Sequence, residues 1–383
     1  MDNFHISHRI DRVDRIHRMV RLARIHPFLN FHEVDLNRTP VREWRQFERS
    51  DPFVDLNDRE FKLQYRFSKQ SVLRLVSELS PYLVDDKRKH CLSPLQQVMI
   101  TLSHLAGDEF ERSTARWVRC CPETVSNCID RVYTGLEALK PKYVRLSNAQ
   151  EAEASAARIN DLYNIENVAY GIDGVSMEFA TRPRKVMGGL HPDLFYNRKE
   201  RFSLNVMAIC DAFKLIRDID VRYPGSVHDA LIWNNSTAKV HLNGSRYFLA
   251  ADKAYPLSET IMKPFEEPEN CFERLFNLRL SQARVVMTEN VFGIWKARFP
   301  ILKNMRFSHH DAMRTVVATA VLMNFGTMER LSLDFPTVDQ SPEFCLVDDR
   351  PPRQVLRAGE QARLAMVNSM VGPQTDDEWD VWY

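Results

Sequence analysis

The segment from residue 201 to residue 223 restricts the fold more than any other part of the chain. RFSLNVMAICDAF (201–213) is almost continuously apolar, which predicts a central strand that is covered on both faces of its sheet. KLIRDIDVRY (214–223) follows with almost no loop and alternates apolar with charged residues, which is typical of an edge strand. The two segments therefore predict a hairpin that ends a sheet with two buried faces.

Two further strands and several helices complete the predicted sheet. VAYGIDGVSMEFA (168–180) predicts the first strand, and RYFLAAD (246–252) predicts a buried strand that returns beside it. YPGSVHDALIW (223–233) leads from the edge strand into a helix, for which Ser226 is the expected N-cap. Three antiparallel strands, a crossover helix, a parallel strand and further helices form a mixed α/β sheet in the order of a ribonuclease-H-like core.

The chain before this sheet is predicted to be all-helical. Ser68 is expected to cap one helix, and Ser93 followed by Pro94 to begin a second. Pro122 begins a third, and residues 110–121 would form a short helix and turn before it. This succession favours a helix-turn-helix-like domain, and an ordinary helical bundle fits the same pattern.

These patterns divide the chain into four predicted parts. They are a basic N-terminal arm (1–59), a helical, helix-turn-helix-like domain (60–145), a ribonuclease-H-like domain (165–325) and an acidic, proline-containing tail (326–383). In the arm, arginine recurs at every third residue from Arg9 to Arg24 beside an apolar stripe. An amphipathic helix docked on its own protein, an arm that contacts phosphate and a nuclear import signal each fit this pattern.

The charge balance and the cysteines limit the classes of function. With 52 basic and 51 acidic residues the net charge is +1, so the overall charge does not by itself predict a nucleic-acid partner. The seven cysteines form no CxxC pair and most have apolar neighbours, which favours a reducing compartment. No apolar run of 18 residues predicts a membrane span. We therefore expect a soluble protein of the nucleus and cytoplasm.

Three carboxylates occupy positions where acidic residues are unusual. Asp173 lies in the first strand, and Asp252 ends the returning strand. If these strands are neighbours, the two aspartates lie side by side, and an ionised carboxylate in an apolar strand is costly unless it is paired or bound to metal. Helical spacing over residues 281–299 places Glu289 on the face toward the sheet. The three acids are therefore expected to converge at one end of the sheet.

A cluster of carboxylate oxygens selects hard cations, so Asp173, Asp252 and Glu289 predict a catalytic site for Mg²⁺ or Mn²⁺. Two such ions can activate a nucleophile and stabilise a leaving oxygen in phosphodiester chemistry. Each acid alone has a structural explanation, but the set favours metal binding. Zinc is not expected, because no His/Cys quartet has the required spacing. A triad of neighbours on the turn near His228 is not expected either, because they cannot align as nucleophile, base and orienting group.

Five segments resemble the PIF/Harbinger transposase family, which includes the Harbinger transposase-derived nucleases. In the family's order, the segments are GIDG (171–174), YNRKERFSLNVMAICD (196–211), YPGSVHDALIW (223–233), ADKAYP (251–256) and ARVVMTENVFGIWKARF (283–299). The resemblance runs from residue 60 to residue 325 and implies a DDE-type catalytic core that coordinates a divalent metal. It implies metal ligands at Asp173, Asp229, Asp252 and Glu289, and it is the main support for Asp229.

Two segments depart from the family pattern without removing an acid. Residues 251–255 read ADKAY where the family usually has Gly-Asp-Ser-Gly-Tyr, and Lys253 therefore stands beside the predicted metal site. There it would contact phosphate or compete with the metal. Residues 322–324 read LMN where the family usually has Leu-His-Asn.

Basic residues near the acids fit a polyanionic substrate. TRPRK (181–185) and NRKER (197–201) border the loop between the first two strands, at the mouth of the predicted site. Arginine and lysine there would hold phosphates without reading sequence, and a solvated charged loop gives the same pattern. The candidate nucleic-acid contacts are Arg182, Arg184, Lys185, Arg198 and Lys199.

The sequence therefore predicts a metal-dependent DNA endonuclease of transposase origin that uses a DDE two-metal mechanism, with or without strand transfer. One alternative is a catalytically silent, domesticated DNA-binding or interaction protein with the transposase fold. Another is a nuclease of the same fold that acts on RNA. A Myb/SANT-like partner protein, which would supply DNA binding and nuclear entry, is implied only by the family resemblance.

Overall fold

The computed structural model describes residues 51–84, 92–107, 120–183, 186, 188–330 and 359–367. All of them lie in one of the two units into which the chain divides, Arg49–Tyr383. Nearly all of the predicted basic arm, the segment between the second and third predicted helices, and most of the tail lie outside the described residues. The predictions for those parts therefore stay predictions.

Five strands form one mixed sheet in the order β3-β2-β1-β4-β5. The strands are β1 (Val168–Glu178), β2 (Ser203–Asp211), β3 (Ile216–Pro224), β4 (Phe248–Ala250) and β5 (Ile261–Met262). β2 is antiparallel to both β1 and β3, whereas β4 is parallel to β1 and β5 is parallel to β4. The predicted hairpin, edge strand and parallel return are confirmed. β5 was not predicted, because two residues are too few to show a strand period.

Six α-helices precede the sheet in the described part of the chain. They are α1 (Pro52–Asp55), α2 (Asp58–Tyr65), α3 (Lys69–Leu79), α4 (Pro94–Ala106), α5 (Pro122–Tyr143) and α6 (Ala149–Tyr163). The predicted caps are confirmed: Ser68 accepts from the Ser71 N–H, and Ser93 forms a capping box with Gln96. A helix-turn-helix stays a prediction, since most of the chain between α4 and α5 lies outside the described residues.

Two short helices replace the single crossover helix that was predicted between β3 and β4. They are α7 (Asp229–Asn234) and α8 (Thr237–Leu242). The expected N-cap at Ser226 was wrong, because α7 begins at Asp229 with His228 at the N-cap position. The Pro-Gly turn extends further than expected: the Val227 N–H donates to the Pro224 carbonyl and the Ser226 N–H to the Leu194 carbonyl.

The single helix predicted over residues 281–299 is two helices. They are α9 (Cys271–Met287) and α10 (Glu289–Arg298), and Thr288 interrupts them with φ −111° and ψ −65°. The end of α9 and the break that follows it approach β1 closely at Gly171, where a β-carbon would lie 2.9 Å from Met287 Cβ and 2.8 Å from Thr288 Cγ2. The apolar period continues across the break, so the pattern alone could not reveal it. α11 (His309–Met328) completes the main fold, and residues 359–367 are also helical.

Side chains from both faces of the sheet are buried in hydrophobic clusters. On β2, Ala208 belongs to a cluster shared with α3, α4, α5 and α11, whereas the adjacent Ile209 belongs to a second cluster that includes Trp233 of α7. The prediction that this strand is covered on both faces is confirmed. Because the helices before the sheet pack in the same cluster as one sheet face, the two regions stabilise each other. The boundaries of separate helical and nuclease domains stay a prediction.

Candidate active site

Asp173 and Asp252 lie at the same edge of the sheet because β1 and β4 are parallel neighbours. Gly171 of β1 is in register with Ala250 of β4, and each aspartate follows its strand partner by two residues. The predicted adjacency of these strands is confirmed. Backbone amides fix both carboxylates: the Gly174 N–H donates to Asp173 Oδ1 over 2.8 Å and the Ala254 N–H to Asp252 Oδ1 over 2.9 Å.

Asp229 reaches the same region from the first turn of α7. Its carboxylate lies directly against the bare α-carbon of Gly174, where a β-carbon would lie 2.3 Å from Asp229 Oδ1. Asn205 of β2, the strand next to β1, also contacts this carboxylate. Its Nδ2 donates to Asp229 Oδ1 over 2.6 Å and to the Val227 carbonyl over 2.8 Å. Sequence reasoning missed Asn205, although a lone amide in an apolar strand could have indicated it.

Glu289 and Asp173 share one partner, the guanidinium of Arg284. Arg284 lies in the last turn of α9, and its Nη1 donates to Asp173 Oδ2 over 2.7 Å while its Nη2 donates to Glu289 Oε1 over 2.7 Å. Glu289 is the first residue of α10, so the guanidinium spans the break between the two helices. Arg284 was also missed, because an arginine five residues before an acid is ordinary on a helix.

The acids carry more negative charge than this environment readily accommodates. Burial raises the pKa of Asp173 to about 7; Arg284 opposes that rise, and Asp252 and Asp229 add to it. Burial also raises the pKa values of Asp229 and Asp252 above their ordinary range. A buried carboxylate whose pKa is raised favours its neutral form unless a cation compensates it. One guanidinium therefore leaves the three aspartates incompletely compensated.

Tyr255 places an unused hydroxyl beside these aspartates. Its side chain is almost fully buried, and its Oη has no hydrogen-bond partner among the described residues. Burial first, and then the charges of Asp229, Asp173 and Asp252, raise the pKa of this phenol well above its usual range. A buried hydroxyl without a partner is costly, so the site has hydrogen-bonding capacity that the protein alone does not satisfy.

The donor chemistry of the site fits a hard divalent cation. Four carboxylates and an unpartnered hydroxyl provide oxygen ligands and a hydrogen-bond donor, and the aspartates lack compensating charge. In the described ranges, no three His, Cys, Asp or Glu side chains stand close enough together to bind a metal ion without movement. For Asp173 and Glu289 there is a physical reason for this separation. The Arg284 guanidinium pairs with both carboxylates and lies between them.

The predicted nucleic-acid contacts have different surroundings. Arg198 pairs with Nδ1 of His228, the residue next to Asp229, at 2.5 Å. Arg182 forms a 2.8 Å ion pair with Asp193, and the Lys199 backbone N–H donates to Asn197 Oδ1. Arg184 and Lys185 lie outside the described residues. Of the five predicted contacts, Arg198 therefore has the clearest connection to the acids.

The departure from the family at residues 322–324 lies on α11, where these residues are buried. Asn324 Nδ2 donates to the carbonyls of Ile216 and Tyr143, and its Oδ1 accepts from the Ile216 N–H. Met323 is buried in the core. These residues connect α11 to β3 and α5, which is a structural role.

Comparisons with known proteins identify similar sequences. Residues 172–324, which contain all four acids, match the family described as "DDE superfamily endonuclease". The proteins named "Putative nuclease HARBI1" of Bos taurus and Homo sapiens are each 24% identical to this chain, over 71% of it and 78% of their own length. The protein of that name in Mus musculus is 23% identical, over 76% and 84%.

No solved structure matches the chain. Among the described residues, no helix is both long enough and apolar enough to cross a membrane. The family match covers β1 from Ile172 to Asn324 of α11, and the similarity to the HARBI1 proteins extends over most of the chain. Residues 172–324 therefore match the DDE superfamily endonuclease family, and the predicted resemblance to the Harbinger transposase-derived nucleases is confirmed.

Proposed function

We propose that this protein is a DNA endonuclease of transposase origin that depends on Mg²⁺ or Mn²⁺. The observation that carries the proposal is the placement of four acids around β1: Asp173 and Asp252 follow paired residues of β1 and β4, Asp229 lies against Gly174, and Glu289 is joined to Asp173 through Arg284. Residues 172–324, which contain these acids, match the DDE superfamily endonuclease family. The strand order, with three antiparallel strands and a parallel return beside β1, supports a ribonuclease-H-like core.

Asp173, Asp252 and Glu289 would hold the metal, with Asp229 as a further ligand or as a base beside it. The metal, when bound, would supply an activated nucleophile and stabilise the leaving oxygen of a phosphodiester. The backbone N–H groups of Gly174 and Ala254 orient two of the carboxylates. These contacts hold the ligands in place before metal arrives, which reduces the cost of assembling the site.

Duplex DNA is the proposed substrate, and the Arg198–His228 pair is its best-supported contact in this region. Because His228 Nδ1 faces the Arg198 guanidinium, its Nε2 is the ring nitrogen left to donate to a phosphate oxygen. Arg182, Arg184, Lys185 and Lys199 would extend the basic border of the site. A nuclear location and a Myb/SANT-like partner are consistent with this function and rest on the family resemblance alone.

One observation favours the alternative of a catalytically silent DNA-binding or interaction protein. Arg284 joins two of the proposed ligands, Asp173 and Glu289, in ion pairs that form without metal. In such a protein the acids would persist as structure, and DNA binding would be indifferent to Mg²⁺.

A plasmid-nicking assay distinguishes the two functions. The full chain should nick supercoiled DNA with Mg²⁺ or Mn²⁺ and lose that activity in EDTA. Glu289→Gln should reduce nicking at least about 100-fold, because it removes a proposed metal ligand, whereas the exposed acid change Asp161→Asn on α6 should not. Full nicking by Glu289→Gln, or no nicking by the wild-type protein with either metal, would contradict the proposed function. Parallel RNA substrates would reveal a preference for RNA.

A further inference from the structure

The Arg284 side chain is enclosed by the site that it bridges. Only 12% of this side chain is exposed, compared with 15% of Asp173 and 19% of Glu289. Both of its bonds are 2.7 Å long and join charged groups, which makes them stronger than neutral hydrogen bonds. The contact is therefore a buried ion pair in the site and differs in kind from a pair at the surface.

The backbone around Arg284 fixes the guanidinium between two helices and a strand. The Arg284 carbonyl accepts from both the N–H and the hydroxyl of Thr288, at 2.8 Å and 2.9 Å. Glu289 begins the next helix immediately after this break. Through its two hydrogen bonds, the guanidinium at the end of α9 therefore connects to β1 and to the start of α10.

Arg284 satisfies only part of the charge around it. A guanidinium carries one positive charge that it keeps at any physiological pH, and it faces Asp173, Glu289 and, through its field, Asp252. A divalent cation carries twice that charge and binds carboxylate oxygens directly. The carboxylates of Asp173 and Glu289 cannot fully accept the hydrogen bonds of Arg284 and coordinate a metal at the same time, so Arg284 and a metal would compete for them.

We propose that Arg284 is a built-in counter-cation that holds Asp173 and Glu289 in the metal-free protein and must release them before a divalent metal binds. This inference rests on the proposed metal-dependent function. It makes Arg284 a positioning residue: it keeps the two acids ordered and paired, and it sets the metal concentration at which the site fills. Removing the guanidinium should therefore strengthen metal binding and weaken the metal-free fold.

The test measures Mn²⁺ binding to the full chain without DNA, from the electron paramagnetic resonance signal of free Mn²⁺. Arg284→Gln should bind Mn²⁺ on the order of tenfold more tightly than wild type, because the competitor is gone. The same variant should melt at a lower temperature than wild type without metal, and Mn²⁺ should raise its melting temperature by more. Arg279→Gln is the matched control, since it removes one charge from the same helix at a residue that donates to the Asn164 carbonyl.

Each outcome of the Mn²⁺ titration supports or overturns the counter-cation role of Arg284. Unchanged or weaker Mn²⁺ binding by folded Arg284→Gln overturns the counter-cation role while leaving the metal site intact. If neither the wild type nor any folded variant binds Mn²⁺, the proposed metal-dependent function fails, and this inference fails with it. If Arg284→Gln does not fold, Arg284→Lys decides, because an ammonium keeps the charge but lacks the planar fork that bridges two carboxylates. Tighter Mn²⁺ binding by Arg284→Lys supports the proposal, and equal or weaker binding overturns it.

Discussion

Asp229 and Gly174 are in direct contact: the carboxylate lies where a side chain at position 174 would begin, with Oδ1 2.3 Å from the β-carbon that any other residue would have. The fourth acid of the site therefore depends on the absence of a side chain on β1. Asn205 holds the same carboxylate through a 2.6 Å hydrogen bond, so the carboxylate has little freedom to move away.

Gly174→Ala tests this contact. The added methyl group should displace the Asp229 carboxylate and break its bond to Asn205, and we expect Mg²⁺-dependent nicking to fall about 100-fold, since displacements of about 1 Å have costs of this size. The control is Gly293→Ala on α10, where a β-carbon meets no atom within 4 Å. This control should leave nicking unchanged and stabilise the helix slightly. Equal activity of the two variants would show that Asp229 has no role that depends on its position.

Asn205→Ala should weaken the site without unfolding the protein. The change removes the donor to both Asp229 and the Val227 carbonyl, and losing this half-buried donor to a charged group costs about 1–3 kcal/mol of unfolding free energy. We expect Mn²⁺ affinity to fall about 10- to 100-fold, the range seen when the partners of metal ligands are removed. The measurements are a urea unfolding curve and a Mn²⁺ titration. Wild-type affinity in a destabilised variant would assign Asn205 a purely structural role.

The stability of the metal-free protein should depend on the protonation of Asp173. Because the folded-state pKa of about 7 lies above the ordinary value of 3.8, the folded state binds this proton more tightly than the unfolded state does. The stability contributed by the protonated carboxyl is full below pH 3.8 and is lost as the pH rises toward 7. The raised pKa values of Asp229 and Asp252 act in the same direction.

We therefore expect the melting temperature of the metal-free protein to fall from about pH 5 to about pH 8, and the stabilisation by Mg²⁺ to grow over the same range, since the metal binds the ionised acids. Asp173→Asn should flatten both trends. Thermal melts in matched buffers, with and without Mg²⁺, measure them. If Mg²⁺ stabilises the protein equally at both ends of the range, ionisation of these acids does not control metal binding.

Tyr255→Phe should affect the stability of the metal-free protein and of the metal-bound protein differently. In the metal-free protein the hydroxyl has no partner among the described residues, so its removal should leave the melting temperature unchanged or raise it slightly. Stabilisation by Mn²⁺ should decrease, because the hydroxyl is then lost as a donor near the bound cation. Tyr143→Phe gives a contrast, since the Tyr143 hydroxyl donates to Glu78 and its loss should destabilise the protein. A destabilised metal-free Tyr255→Phe would mean that the hydroxyl already has a partner.

Much of the architecture could be predicted because it depends on which faces are buried. The β2–β3 hairpin was specified by an apolar run, an alternating strand and the short connection between them. The apolar pattern of residues 246–252 specified the strand that returns beside β1. The adjacency of Asp173 and Asp252 followed from that order. Burial periodicity reports these features directly, since it is a property of successive residues in one strand.

The partners of the acids could not be predicted in the same way. Arg284 and Glu289 are five residues apart, and only the break at Thr288 brings the guanidinium to both Glu289 and Asp173. Periodicity carries through such a break, so the helix pattern predicted one continuous helix. Asn205 and Asp229 likewise meet although the β2–β3 hairpin separates them along the chain, and the sequence records no such distance.

The sequence by itself determined the order β3-β2-β1-β4 and the resemblance to the Harbinger transposase-derived nucleases, and it named four acids as candidates, because burial patterns and motif order are written along the chain. The tertiary structure alone decided that Arg284 joins two of these acids, that Gly174 and Asn205 fix a third, and that the Tyr255 hydroxyl has no partner among the described residues. The physical reason is that electrostatic compensation depends on which charged and polar atoms meet in space. That meeting is set by strand register, helix breaks and close backbone contacts.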